Sequence, residues 1–277
     1  MKKLFEIPID IFTNLKLINN LAKNDLKSKF AGSYLGILWG YVQPIITILV
    51  YWFVFEKAIG VGNQVTKAGI SAPYILWLSA GLIPWFYFSE AFSAGTNCLI
   101  EYGYLVKKVV FKISILPVVK VISSLMTHVV LVIFMFILFG VYGFVPGFMV
   151  FQIVYYSFCV FMLALSMSYF TSAITVFFRD MSQIVAVFLQ VLIWATPIMW
   201  NMQGMINEGR ISEHIATVIK LNPMYYVVSG YRDTMIDHVG VWVRPGMSIY
   251  FWCVVVVLFL IGTTVFRKLK PHFADIM

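Results

Sequence analysis

An all-α, polytopic membrane protein is the fold class that this 277-residue chain predicts. Composition is the first reason: 61% of the residues are hydrophobic and 12% charged, with a mean hydropathy of +0.89. A soluble domain carries about 25% charged residues, so a soluble enzyme, a disordered chain and a disulfide scaffold are all excluded. Length is the second: six apolar runs are of the order of the 20 residues that cross a bilayer as helix. Charge sorting is the third. With both termini inside, 14 of the 20 Lys and Arg fall on that side and six on the other, which is the positive-inside pattern. The formal charge of +8 therefore reflects membrane orientation and calls for no nucleic acid partner.

The runs follow in order. Residues 37–55 are uncharged and include Gln43 and Pro44, and residues 74–92 contain Pro84 and Glu90. Residues 118–139 carry Lys120 and His128. Residues 148–178 hold no charge, and so long a run must tilt or project beyond the bilayer. Residues 181–200 follow Arg179 and Asp180, and residues 248–266 form the last run. Six spans place both termini on the cytoplasmic side. Glu6, Pro8 and Asp10 interrupt any apolar leader, so no cleavable signal is expected.

Three polar segments remain. In residues 11–30, Ile11, Leu15, Ile18, Ala22, Leu26 and Phe30 recur every three or four positions, with Lys16, Lys23, Lys27 and Lys29 on other faces. The pattern predicts an amphipathic helix on the inner membrane surface, or one packed on another protein. Residues 97–117 connect the second and third spans and hold Glu101, Tyr102, Tyr104, Lys107, Lys108 and Lys112. They read equally as an ordinary positive loop or as a docking helix. The outer connection, 201–247, is too long to be a bare loop. It offers one helix over 212–221 and a second from Asn222-Pro223 to about residue 236, Asn as N-cap and Pro at the first helical position. Both are too short to span and read as re-entrant or interfacial.

Catalytic motifs are missing. The chain has no G-x-x-x-x-G-K-[ST], H-E-x-x-H, G-x-S-x-G or G-x-G-x-x-G. His128, His214, His238 and His272 are scattered, and Cys98, Cys159 and Cys253 are widely spaced, so no metal site is expected. His128, inside a span, reads as a helix–helix hydrogen-bonding residue. Glu90 is the acidic residue inside a span, either a coupling group or, near the span's end beside Ser89 and Ser93, one that faces water or pairs with a neighbouring helix. Aromatic residues crowd the first two spans: Trp39, Tyr41 and Trp52, then Tyr74, Trp77, Trp85, Phe86, Tyr87 and Phe88. Such rings stack on sugar faces, but interface belts and ordinary packing use them too.

The run Lys29-Phe30-Ala31-Gly32-Ser33-Tyr34-Leu35-Gly36-Ile37-Leu38-Trp39, followed by Gln43-Pro44, resembles the approach to the first span in permease subunits of type-2 ABC exporters. More narrowly it is similar to exporters of lipid-linked polysaccharide, O-antigen and wall teichoic acid. Phe178-Arg179-Asp180 before the fifth span, Thr196-Pro197-Ile198 at its end, Asn222-Pro223 and Arg232-Asp233 keep the family's order.

The resemblance implies one membrane domain over 1–277: an N-terminal segment, 1–36, with an interface helix bearing Lys16, Lys23, Lys27 and Lys29; spans one to five over 37–200; an outer re-entrant gate over 201–247; and the last span and tail over 248–277. It implies a coupling helix built from Glu101, Tyr102, Tyr104, Lys107, Lys108 and Lys112, docked in a separate ATPase subunit. Asn222, Pro223, Tyr225, Tyr226, Arg232 and Asp233 then belong to the gate, and the aromatics with Glu90 to the path. Two copies of the chain and two ATPase subunits would assemble in a bacterial cytoplasmic membrane among its lipids. ATP and Mg would sit in the partner, with no cofactor on this chain. An undecaprenyl-pyrophosphate-linked glycan or teichoic acid is the implied substrate. A type-2 exporter of a drug or lipid, and an ion-coupled carrier acting alone, stay open as rivals.

Overall fold

The computed structural model describes residues 6–66, 68–106, 112–144 and 147–276. Its elements run α1 (Glu6–Thr13), α2 (Leu15–Lys29), α3 (Trp39–Trp52), β1 (Gln64–Val65), β2 (Ser71–Ala72), α4 (Tyr74–Glu101), α5 (Gly103–Val106), α6 (Leu116–Val141), α7 (Gln152–Thr175), α8 (Met181–Ala195), α9 (Met202–Asn207), α10 (Glu213–Lys220), α11 (Pro223–Arg232), α12 (Pro245–Leu269) and α13 (Phe273–Ile276). The two strands pair antiparallel as a small ribbon, with Gln64 opposite Ala72.

Among the described residues, five helical stretches are long and apolar enough to cross a membrane: Gly36–Ala58, Tyr74–Glu101, Ile113–Val141, Phe148–Thr175 and Pro245–His272. The fifth expected span is shorter than its apolar run. α8 has 15 residues, about 22 Å at 1.5 Å per residue, against a hydrocarbon core of about 30 Å. After it the chain continues through 196–200 without helix. The chain is thus a multi-pass, all-α membrane protein.

α4 is the centre of the bundle, with 83% of its apolar stretch buried against 6% for Gly36–Ala58. It touches α3, α6, α7, α8 and α11, while α12 packs on α7 and α2 on α6. Without a hydrophobic drive between helices in lipid, close packing of small residues holds such a bundle. Gly95 illustrates it: a Cβ there would lie 2.1 Å from Ser168 Oγ, so α4 and α7 meet this closely only because position 95 has no side chain. Polar contacts supplement the packing. The His128 ring stacks on Tyr87 at 4.6 Å, and its Nε2 lies 3.0 Å from Ser157 Oγ and 2.9 Å from Tyr231 Oη. One side chain thereby joins α4, α6, α7 and α11.

Two expectations change. The helix expected over 11–30 is broken at Asn14 into α1 and α2, and Ile18, Ala22 and Leu26 are buried against α6. The amphipathic face is therefore covered by the chain's own third span and not by lipid headgroups, while Lys16, Lys23, Lys27 and Lys29 remain exposed. In the second span, Tyr74, Trp77, Trp85, Tyr87 and Phe88 are buried in the protomer's core and line no open path. Phe86 is half-buried there. The five buried rings pack inside the protomer. Trp39 is exposed, and Tyr41 and Trp52 are half-exposed on α3.

Candidate functional site

Polar groups converge at both ends of the bundle. The end that carries both terminal segments holds the first cluster, around Lys120 near the start of α6. Its Nζ lies 2.5 Å from Asp25 Oδ1 of α2 and 2.5 Å from Glu101 Oε2, the last residue of α4. The Tyr102 hydroxyl donates to the same Asp25 oxygen at 2.7 Å, and the ammonium sits 5.0 Å from the centre of the Tyr102 ring. The Lys120 side chain is 8% exposed, so its charge depends on these partners. Burial, reinforced by the bond to Asp25, pushes the Tyr102 phenol well above its ordinary value.

Of the residues expected to couple to a partner, Glu101 and Tyr102 thus bind inside the protomer, while Tyr104 is exposed. Lys112 Nζ lies 3.3 Å from Asp10 Oδ1. Lys107 and Lys108 lie outside the described residues. Glu90 pairs with Lys29, Nζ to Oε1 2.5 Å, which answers the sequence question by the neighbouring-helix alternative. The two lie 61 positions apart, so the pairing was not readable locally.

At the opposite end, the segment that leaves α8 is gripped by the outer helices. Asn222 caps α11, its Oδ1 accepting from the Met224 amide at 3.0 Å. Its Nδ2 donates to Thr196 Oγ1 at 2.7 Å. The Arg232 guanidinium donates to the carbonyls of Pro197 (2.7 Å) and Ile198 (2.6 Å), and more weakly to that of Trp77 (3.4 Å). The Tyr74 hydroxyl donates to the Met199 carbonyl at 2.8 Å. A segment outside helix or sheet leaves its carbonyls without regular partners, and a planar five-donor group is suited to collecting them. Burial lowers the Arg232 pKa to about 9, still charged at neutral pH.

Arg232 and Asp233, adjacent in sequence, serve different partners. Asp233 forms a two-pronged pair with Arg244, Oδ2 to Nη1 2.9 Å and Oδ1 to Nη2 3.0 Å. Tyr225 and Tyr226 are buried, and the Tyr226 hydroxyl lies 3.0 Å from that of Tyr155 and 2.8 Å from Ser248 Oγ. Of the two outer helices, α11 inserts among α4, α7 and α12. α10 stays on the surface with only Ala216 buried. Pro223 occupies the first helical position of α11. α9 and the roles of Asp10, Asp25 and Arg244 were not anticipated. An isolated Lys120 in an apolar run did signal that a carboxylate must approach it, but not which one.

Three of the short motifs read from the sequence, Thr196-Pro197-Ile198, Asn222-Pro223 and Arg232-Asp233, thus come together at the outer end. Over 262 residues, 94% of each chain, the protein is 29% identical to an "O-antigen export system permease protein RfbA" of Myxococcus xanthus. It is 28% identical over 275 residues, 96% of each chain, to a protein of the same description from Klebsiella pneumoniae. The model of the ABC-2 type transporter family matches residues 16–236, from within α2 to the end of the outer helices. The chain belongs to the ABC-2 type transporter family, as a membrane component of an ABC transporter.

Proposed function

We propose that the chain is the permease of an ATP-driven exporter of O-antigen or a closely related lipid-linked polysaccharide. The observation that carries this reading is the end-to-end similarity to two proteins described as O-antigen export permeases. In this reading two copies assemble with two ATPase subunits in a bacterial cytoplasmic membrane, with the terminal end of the bundle in the cytoplasm. ATP and Mg bind in the ATPase, and this chain carries no cofactor. The connection bearing Glu101, Tyr102, Tyr104, Lys107, Lys108 and Lys112 receives the ATPase's movement.

The exposure of α3 and α8 supports a shared path. Both flank α4 and leave broad apolar faces uncovered, with Trp39, Ile46 and Phe53 on one and Ile184, Val187 and Trp194 on the other. A second copy covers these faces, and the glycan passes between the copies beside Trp39, Tyr41 and Trp52. The outer cluster around Arg232 closes the far end until the ATPase acts.

The test is purification of the tagged chain in mild detergent with a hydrolysis assay on the eluate. An ATPase recovered in equal amount, with vanadate-sensitive hydrolysis, is the expected result. A chain that elutes alone and inert, with dissociation controlled by chemical cross-linking before extraction, overturns the reading.

A further inference from the structure

The connection between α4 and α6 is held at both described ends by carboxylates from the N-terminal helices. At its start, Asp25 of α2 accepts from the Tyr102 hydroxyl at 2.7 Å and pairs with Lys120, which in turn binds Glu101. At its finish, Asp10 of α1 accepts from Ser114 Oγ at 2.7 Å and pairs with Lys112 at 3.3 Å. Asp10 is 6% exposed, although a lone carboxylate at a membrane-proximal surface gains most by facing water. Each carboxylate takes one hydroxyl and one ammonium: Asp10 on two different oxygens, which an amide cannot supply, and Asp25 on Oδ1 alone, where an amide keeps the acceptor and loses the charge. α1 and α2 also pack on each other, and α2 packs along α6. The connection therefore has two anchors besides its covalent continuation into the spans.

We propose that Asp10 and Asp25 are two pins by which α1 and α2 grip the connection between the second and third spans, so that helices and connection move as one lever. The proposal deepens the exporter reading above and rests on it for the lever's purpose. The pins themselves are positioning residues: they face the chain's own hydroxyls and ammonium groups. The lever transmits through Lys120, because that side chain ties the α2 pin to α6 and to the end of α4 at once.

The test compares the wild-type complex with Asp10→Asn, Asp25→Asn and the double variant. Asp25→Asn leaves Lys120 paired with Glu101, so no buried charge is orphaned and the chain is expected to insert. Two readouts are taken. Amide exchange over 102–106 and 112–115 in the detergent-purified complex reports the grip, and is expected to rise at least tenfold in the double variant. Surface glycan of intact cells, oxidised with periodate and coupled to a hydrazide dye, is set against ATP hydrolysis by the purified complex. A fall in export of fivefold or more, with ATPase recovery and basal hydrolysis within twofold of wild type, supports the lever.

Unchanged exchange protection, or wild-type export from the double variant, overturns it. Loss of the ATPase from the complex also overturns it, because the carboxylates would then be assembly determinants. Should the double variant fail to insert, the single variants Asp10→Asn and Asp25→Asn carry the same two readouts. Failure of the exporter reading is seen separately, as absent hydrolysis and export in the wild-type control.

Discussion

Arg232 sits over the Trp77 ring, its guanidinium carbon 3.7 Å from the indole centroid, while its nitrogens donate to the carbonyls of Pro197 and Ile198. One group thus serves different elements, α4 and the segment leaving α8. Gly81 makes room for it: a Cβ there would come within 3.0 Å of Nη2.

Replacing Arg232 with Lys keeps the charge and loses both the fork and the stacking plane. Arg232→Lys is expected to destabilise the purified protein by about 2 kcal/mol and Arg232→Ala by about 3 kcal/mol, from charged hydrogen bonds and the cation–π contact. Thermal unfolding in detergent measures both. Equal stability of Arg232→Lys and wild type would mean that the charge alone matters.

Asn222 does two jobs with two atoms, so two substitutions separate them. Asn222→Asp keeps the oxygen that caps α11 and loses the donor to Thr196. Asn222→Ala loses both, the cap alone being worth about 1 kcal/mol. The Asp variant is expected to keep most of the helix's stability and to loosen the segment after α8, read as faster amide exchange at 196–199. If the Ala and Asp variants loosen that segment and unfold alike, the cap and the Thr196 contact are one function and this division is wrong.

Glu90 has an ammonium partner that is itself 45% exposed, so the pair's net contribution is small, within about 1 kcal/mol. Glu90→Gln is therefore expected to leave stability within that range and glycan export within twofold. Export abolished in a folded Glu90→Gln variant would restore the ion-coupled carrier as the better reading.

Gly95 is a steric requirement and can be tested by rescue. Gly95→Ala forces α4 and α7 apart and is expected to cost roughly 1–3 kcal/mol. Pairing it with Ser168→Gly removes the atoms that the new Cβ would meet and should recover most of that loss. A double variant no better than the single one would place the strain elsewhere.

Much of this architecture is written locally in the chain. The six apolar runs correspond to six helical stretches, because hydrocarbon length and backbone satisfaction leave a spanning segment few alternatives. The Asn222-Pro223 start of α11 and the Thr196-Pro197 end of α8 are likewise local backbone chemistry. What was not legible is pairing across distance. The stripe of Ile18, Ala22 and Leu26 says that one face of α2 is buried, but nothing in its period distinguishes a lipid surface from α6. Asp10, Asp25 and Lys120 look like ordinary charges near membrane ends until α1, α2 and α6 are brought together. The aromatics of α4 carry the same ambiguity: a ring that packs and a ring that lines a path have the same sequence, and burial puts Tyr74, Trp77, Trp85, Tyr87 and Phe88 in the core while Phe86 is half-buried.

The shortness of α8 acts on the bilayer as well as on the protein. A helix roughly 8 Å shorter than the hydrocarbon core would, where it crosses alone, draw the two leaflets together around itself. The same helix forms one exposed flank of the bundle, so the pinch falls beside the surface that a second copy is proposed to meet. The headgroup of the proposed lipid-linked substrate would cross a thinner low-dielectric slab there. In the proposed exporter, part of the work of moving it would then be done by the shape of the membrane.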